Sequence, residues 1–270
     1  MGKMQLSGKT ALVTGAASGI GRATALSLAK RNCNLILADI NEAGLTETVK
    51  LLAPHSVSVS THSLDVSDKQ AVMRFPDHVQ QLDILINNAG VGISGNFEQL
   101  NPEEFDWLFN INFHAVVNMC RAFLPLLKES ADARIVNISS VYGLFGVPGN
   151  VAYCASKFAV RGFSEALRYE IADNNIGVSV VHPGGVATSI AKNARIAESL
   201  NMSEEDIERE KANADRLLTL DPSIAGETIV KGIENRKDRI LVGDDAKAVS
   251  LIVRLFPVSY WNILQRFVED

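Results

Sequence analysis

A doubly wound α/β fold built on a parallel sheet is predicted by two features of this 270-residue chain. Short β-branched, apolar runs alternate with helix-length segments, and a glycine-rich turn joins the first run to the first helix. Near-continuous apolar strands separated by helices imply a parallel sheet covered on both faces. The right-handed crossover rule then makes the doubly wound arrangement the most economical connection. No internal repeat, low-complexity tract or interdomain linker breaks the chain, so one domain over 1–270 is expected.

In chain order, strands are predicted at TALVT (10–14), NLILAD (34–39), VSVSTH (57–62), DILIN (83–87), RIVNIS (134–139), GVSVVH (177–182) and RILV (239–242). Helical segments between them include 20–31, 102–129 and 151–174. Pro76, within MRFPDHVQQLD before the fourth strand, predicts a truncated helix there, because proline cannot continue the ladder. Two regions depart from the alternation. The charged stretch after HPGGVATS has helical spacing and no strand signal; lying beyond a late strand, it is expected to form a helical lid over about 189–217. The C-terminal extension, about 246–270, carries the apolar segment 246–267, interrupted by Arg254 and Pro257. Packing on the body or on a partner subunit is favoured for it. Peripheral membrane contact is the minority reading, from its interleaved aromatic and basic residues.

Composition narrows the function classes. Hydrophobic residues make up 47%, enough for a substantial core, and the net charge of −5 argues against a nucleic-acid binder. Cys33, Cys120 and Cys154 are far apart and form no CxxC pair, so neither a disulfide framework nor a zinc site is expected. The N-terminus has no signal-like apolar run, and Leu6 stands where a myristoylation motif needs Ser or Thr. No apolar run suits a membrane span. A cytoplasmic, metal-free protein is the expectation.

TGAASGIG, Thr14 to Gly21, follows the first strand and opens the first helix. Gly15, Gly19 and Gly21 permit a tight turn and close approach of a dinucleotide, whose pyrophosphate would meet the helix N–H groups around Ser18 and Ile20. Asp39 ends the second strand about 20 residues on, where a carboxylate accepts from both hydroxyls of an adenosine ribose and repels a 2′-phosphate. With no cation at Ile40 or Asn41, NAD is preferred to NADP. Asn88, Ala89 and Gly90 end the fourth strand and can tie strand ends beside the cleft. Tyr153 and Lys157, four residues apart, share one helix face, and Ser140 ends the fifth strand. Free tyrosine, with a pKa of about 10, is a poor base at neutral pH, and a nearby ammonium favours its phenolate. Each residue alone reads as packing or a solvated side chain; together they read as a site.

The set TGAASGIG, Asp39, LDV (64–66), NNAG, Asn112, Ser140, YCASK and HPGGVAT closely resembles the short-chain dehydrogenase/reductase family over roughly residues 7–190 plus the last strand. The resemblance implies a seven-stranded Rossmann sheet, a nicotinamide cofactor and a homodimer or homotetramer. It implies that Tyr153 is the general acid/base, that Lys157 lowers its pKa and holds the nicotinamide ribose, and that Ser140 orients the substrate oxygen. Asn112 would hold a water in a proton relay, Asp65 and Val66 would face the adenine, and Asn88, Ala89 and Gly90 would line the cofactor cleft. Pro183, Gly184, Val186 and Thr188 would bind the nicotinamide carboxamide. The expected function is NAD-dependent hydride transfer between a hydrophobic secondary alcohol and its ketone; Val91, Tyr142, Phe145 and Val147 are expected to face that substrate together with the lid. The alternative is an NAD-binding sensor or scaffold without turnover. A hydrolase is disfavoured by the lack of G-x-S-x-G, and a zinc enzyme by the lack of HExxH.

Overall fold

A computed structural model describes residues 2–216 and 218–265; Leu217 of the expected lid and 266–270 of the expected extension lie outside the described residues. The strands are β1 (Thr10–Thr14), β2 (Asn34–Asp39), β3 (Val59–Ser63), β4 (Ile84–Asn87), β5 (Ile93–Ser94), β6 (Ala133–Ile138), β7 (Ile176–Pro183), β8 (Arg195–Ile196) and β9 (Arg239–Val242). The helices are α1 (Gly19–Ala29), α2 (Glu42–Leu52), α3 (Lys69–Arg74), α4 (Pro102–Phe109), α5 (Ala115–Glu129), α6 (Val151–Glu170), α7 (Glu204–Arg216), α8 (Pro222–Glu234), α9 (Asp244–Leu255) and α10 (Tyr260–Leu264).

Seven strands form one parallel sheet in the order β3-β2-β1-β4-β6-β7-β9. Side chains alternate across it with period two. Ala11, Val13, Leu35, Leu37, Ile84 and Ile86 meet one layer, which includes Leu28 of α1, Leu45 of α2 and Ile229 of α8. Leu12, Ile36, Ala38 and Leu85 meet the other, with Val72 of α3, Phe123 of α5 and Val160 of α6. Burial on both faces is why these strands read as continuous apolar runs. The chain reverses direction of winding between β1 and β4, which opens a crevice at their carboxyl ends.

Element boundaries differ from the sequence expectation where short-range contacts compete with periodicity. Predicted helix 102–129 is divided by a π turn, Asn110–His114, between α4 and α5. The first helix stops at Ala29 because Asn32 takes a left-handed conformation (φ 56°), and Asn175 (φ 51°) does the same after α6. The third strand begins at Val59 because the Val57 N–H is bonded to the His55 carbonyl in a turn. As Pro76 foretold, α3 is short and gives way to a 3₁₀ turn over Phe75–His78. The charged stretch, expected to hold no strand, contains β8, which pairs in parallel with β5. Two-residue strands leave no periodic signal. The C-terminal segment packs on the body: Leu264, Tyr260 and Trp261 join Leu144, Phe145 and Val147 in one apolar cluster. No helix among the described residues is long and apolar enough to cross a membrane.

Candidate active site

The glycine turn lies where β1 meets α1. Gly15 has φ +65°, and a Cβ there would fall 2.7 Å from Asn88 Nδ2; at Gly21 a Cβ would fall 2.1 Å from the Gly15 carbonyl oxygen. Side chains at these positions would close the turn onto itself. Ser18, at the N-cap of α1, makes no side-chain capping bond, so the first-turn N–H groups, those of Ile20 among them, are left for another acceptor. A Cβ on Gly19 would touch the Thr188 methyl at 3.0 Å, so the segment after β7 reaches the glycine turn.

Asp39 faces the same turn from β2. Its Oδ2 accepts the Ala17 N–H at 3.0 Å and its Oδ1 the Asn41 N–H at 2.9 Å. The nearest cation of the turn, Arg22, bonds Thr48, the Gly44 carbonyl and Glu47, and is also held to the Ala17 carbonyl. Its charge is engaged by these groups, with no bond to Asp39 among the described residues. Beyond β3, Asp65 accepts from the Ser67 backbone and hydroxyl (2.8 and 2.7 Å), and buried Val66 lines a recess with Thr14, Ala89 and Met119. Thr14 ties the crevice walls together: its hydroxyl accepts the Asn88 and Ala89 N–H groups at 3.0 and 3.1 Å, while Asn88 Nδ2 donates to the Thr14 and Gly15 carbonyls. The strand-end tie expected of Asn88 is present. Glycine cradle, free helix N–H groups and ribose-side carboxylate together fit a dinucleotide.

At the other end of the crevice, β6 and α6 bring Ser140, Tyr153 and Lys157 together. Ser140 lies two residues beyond β6, at the start of a 3₁₀ turn over Val141–Gly143, and its Oγ accepts the Tyr142 N–H at 3.1 Å. Tyr153 is half-buried; burial pushes its pKa up to about 12, opposed by a hydrogen bond with the Ser140 hydroxyl. Lys157 is 4% exposed, lies 5.6 Å from the Tyr153 ring centroid and donates to the Ile138 carbonyl at 3.2 Å. Burial drags its pKa down to about 8. Burial dominates the Tyr153 shift, and Lys157 is not among the groups that move it.

Asn112 sits in the π turn, a feature frequent at functional sites. Its Oδ1 accepts the Val91 N–H and its Nδ2 donates to the Val91 carbonyl, both at 2.9 Å. A Cβ on Gly90 would lie 3.1 Å from Asn112 Oδ1 and 3.4 Å from Lys157 Nζ, so these two groups converge across that glycine. Tyr142 stands edge-on to Tyr153 (6.1 Å) and Phe145 edge-on to Tyr142 (5.5 Å). Phe145 is buried behind Tyr142, with Val147 beside it.

Pro183 ends β7. Gly184 donates to the Val242 carbonyl at 2.9 Å, Val186 is buried and bridges Leu220, and the Thr188 hydroxyl accepts the Ile190 N–H at 3.4 Å. Two residues that motif spacing did not single out hold this region. Asp245 accepts the Gly185 N–H at 2.7 Å and leaves no room for a Cβ at Gly184. His182 is fully buried, and its Nδ1 donates to the Ser140 carbonyl at 2.9 Å, while Nε2 has no partner among the described residues. The one sign of it in the sequence was a histidine inside an apolar strand directly before Pro183.

Burial lowers the His182 pKa from 6.5 to about 4. The folded state thus binds fewer protons than the unfolded state between these values, and stability falls as pH drops from 6.5 towards 4. At about 1.4 kcal/mol per unit the loss is on the order of 3 kcal/mol. Urea unfolding at pH 7 and pH 4.5 should show a steeper acid loss in the wild type than in His182→Gln; equal slopes would refute this assignment.

Comparison with known proteins agrees with the geometry. Residues 9–199 match the model of the short chain dehydrogenase family. SadH of Mycobacterium tuberculosis, a chain with an oxidoreductase name, is 40% identical over 95% of this chain and 94% of its own length. The 3-ketodihydrosphingosine reductase of Bacteroides thetaiotaomicron is 39% identical over 72% of this chain and 70% of its own. A crystal structure of a short-chain dehydrogenase/reductase from Burkholderia phymatum in complex with NAD superposes with a TM-score of 0.82 at 29% identity, covering 93% of this chain and 95% of that one. Likeness of sequence and of fold thus extends over the glycine cradle, the Ser140–Tyr153–Lys157 cluster and the sheet that positions them, and on that basis the chain belongs to the short-chain dehydrogenase/reductase family of oxidoreductases.

Proposed function

We propose that this chain is an NAD-dependent alcohol dehydrogenase or ketone reductase acting on a hydrophobic secondary alcohol or its ketone, with Tyr153 as general acid/base. The observation that carries the reading is the convergence of Ser140, Tyr153, Lys157 and Asn112 at the carboxyl ends of β4 and β6, beside the glycine cradle. In the oxidation direction the carbinol proton passes to Tyr153, and the C–H bond breaks with its electron pair leaving as hydride, so the product is the ketone. When bound, oxidised NAD supplies the hydride acceptor and a positive charge that favours the phenolate. Ser140 and Tyr153 bracket one substrate oxygen, and Lys157 holds the nicotinamide ribose. The Asn112 side chain is committed to Val91, so any part it takes in a proton relay runs through its main chain.

Pro183, Gly184, Val186 and Thr188 take the nicotinamide end in this reading, and Asp39, Asp65 and Val66 the adenosine end. The NAD complex of the Burkholderia relative and the ketone named for the Bacteroides reductase support the cofactor and the substrate class. The segment after Thr188 serves as a lid. It is strapped to the segment after β4 by the β5–β8 pair, and to α4 by the Glu198 N–H on Glu104 Oε1 (2.9 Å) and by Arg195 lying 3.7 Å from the Trp107 ring centroid. A homodimer or homotetramer is part of the same proposal.

The test is reduction of NAD and of NADP against a panel of hydrophobic secondary alcohols at mildly alkaline pH. Turnover with NAD supports the reading; NAD binding without turnover on the panel favours a binding protein instead. Asp39→Ala should weaken NADH binding by about tenfold, as expected for hydrogen bonds to a charged group, while NADPH binding holds or improves. Fluorescence titration with both nucleotides checks this, and equal losses would contradict the assigned role of Asp39.

A further inference from the structure

We propose that the C-terminal α9–α10 segment forms the rear wall of the substrate pocket and that Tyr260 is the positioning residue through which it sets selectivity for bulky apolar ketones. The inference rests on the functional reading above. Three independent contacts lead to it. The Tyr260 hydroxyl accepts the Gly146 N–H at 3.1 Å, which fixes the main chain of the loop that begins at Ser140. The Tyr260 ring stands edge-on to Phe145 at 5.9 Å (83°), and the same packing continues through Tyr142 to Tyr153. Leu264 is buried against Leu144 and Phe145, with Trp261, Val249 and Ile252 around them.

The consequence follows from packing. A loop held only at its ends can yield to a substrate, whereas one clamped by a hydrogen bond and an aromatic stack keeps a fixed outline. Within residues 141–147, Tyr142 stands edge-on to Tyr153, and the loop is backed by α9 and α10 with Leu241 of β9, of which α10 alone carries the Tyr260 hydroxyl that bonds its main chain. Tyr260 contacts Gly146 and Phe145, and reaches Tyr153 through Phe145 and Tyr142. Its influence should fall on substrates large enough to press the wall and should spare small ones.

The experiment compares wild type, Tyr260→Phe and Tyr260→Ala on a small ketone (acetone or butanone) and a bulky alicyclic one, with hydrogen–deuterium exchange read on the peptide containing Gly146. Tyr260→Phe keeps the ring and removes only the acceptor; exchange of that peptide should rise about fivefold, the worth of one hydrogen bond. Tyr260→Ala should change the bulky-to-small ratio of kcat/KM by about tenfold or more through KM, the scale of lost pocket contacts, with kcat for the small ketone preserved. A general loss of stability would lower both substrates together and leave the ratio fixed. An unchanged ratio in an active enzyme, or unchanged exchange in Tyr260→Phe, overturns this inference alone. A wild type inactive on every ketone and alcohol overturns the functional reading and this inference with it.

Discussion

Tyr153→Phe should lower kcat by about 10³-fold while leaving the NADH dissociation constant nearly unchanged, since a positioned acid/base contributes 10²–10⁴ in rate. The substitution removes one oxygen and keeps the ring, so the edge-on contact with Tyr142 at 6.1 Å survives. Cofactor contacts assigned to the glycine turn and Asp39 lie at the other end of the crevice and are not disturbed. The loss corresponds to about 4 kcal/mol of transition-state stabilisation. Tyr142 supplies the control: it is the neighbouring phenol, its pKa is also raised by burial, and it is one ring farther from Lys157 along the aromatic row. Tyr142→Phe should retain kcat within a small factor. A Tyr153→Phe enzyme at near-normal rate, or a larger loss in Tyr142→Phe, would move the acid/base role elsewhere. Single-turnover measurement with deuterated alcohol would establish that the lost step is hydride transfer with its coupled proton.

The parts of this molecule that were legible in the sequence are those that repeat or that cluster. β1 and β2 coincide with the predicted runs because both their faces are buried, and burial writes itself as a nearly unbroken apolar string; β9, an edge strand, coincides through buried Ile240 and Val242. The cleft residues Gly15, Gly21, Asn88 and Ser140 were found because each is needed at a fixed distance from a strand end. Boundaries set by one left-handed asparagine, such as Asn32, carried no such signature, and neither did the β5–β8 strap. His182 and Asp245 escaped for a different reason. Each acts by a single hydrogen bond to a backbone group many residues away, at Ser140 and Gly185, and only the folded chain brings those groups together. Spacing shows that Tyr153 and Lys157 share a helix face, but not that burial there raises the tyrosine pKa and lowers that of the lysine.

That loss of water leads to an expected result with two opposite signs in one variant: Lys157→Met should stabilise the fold and disable the reaction. Lys157 is 4% exposed and has a carbonyl, that of Ile138, as its hydrogen-bond acceptor, with no carboxylate partner among the described residues. Its pKa falls from 10.5 to about 8 because burial penalises the ammonium. The folded state therefore binds fewer protons than the unfolded state between pH 8 and 10.5; the native state gains stability as pH rises through that window and carries the full penalty below it. At about 1.4 kcal/mol per unit the penalty near pH 7 is on the order of 3 kcal/mol, an upper bound because Met also gives up the bond to Ile138. Methionine fills a similar volume without a charge, and buried charges replaced by apolar groups of like shape are often neutral or stabilising. For a chain of this size, Tm at pH 7 should rise by several degrees, with the advantage shrinking as pH approaches 10.5. kcat should fall at the same time, because the hold on the nicotinamide ribose proposed for Lys157 is lost. A variant less stable than wild type at pH 7 would mean that the ammonium is well solvated in place, and a stable variant with unchanged kcat would mean that the protein retains a buried charge its chemistry does not use. The predicted combination would tie the cost of a buried lysine at this position to the reaction proposed for Tyr153 rather than to the fold.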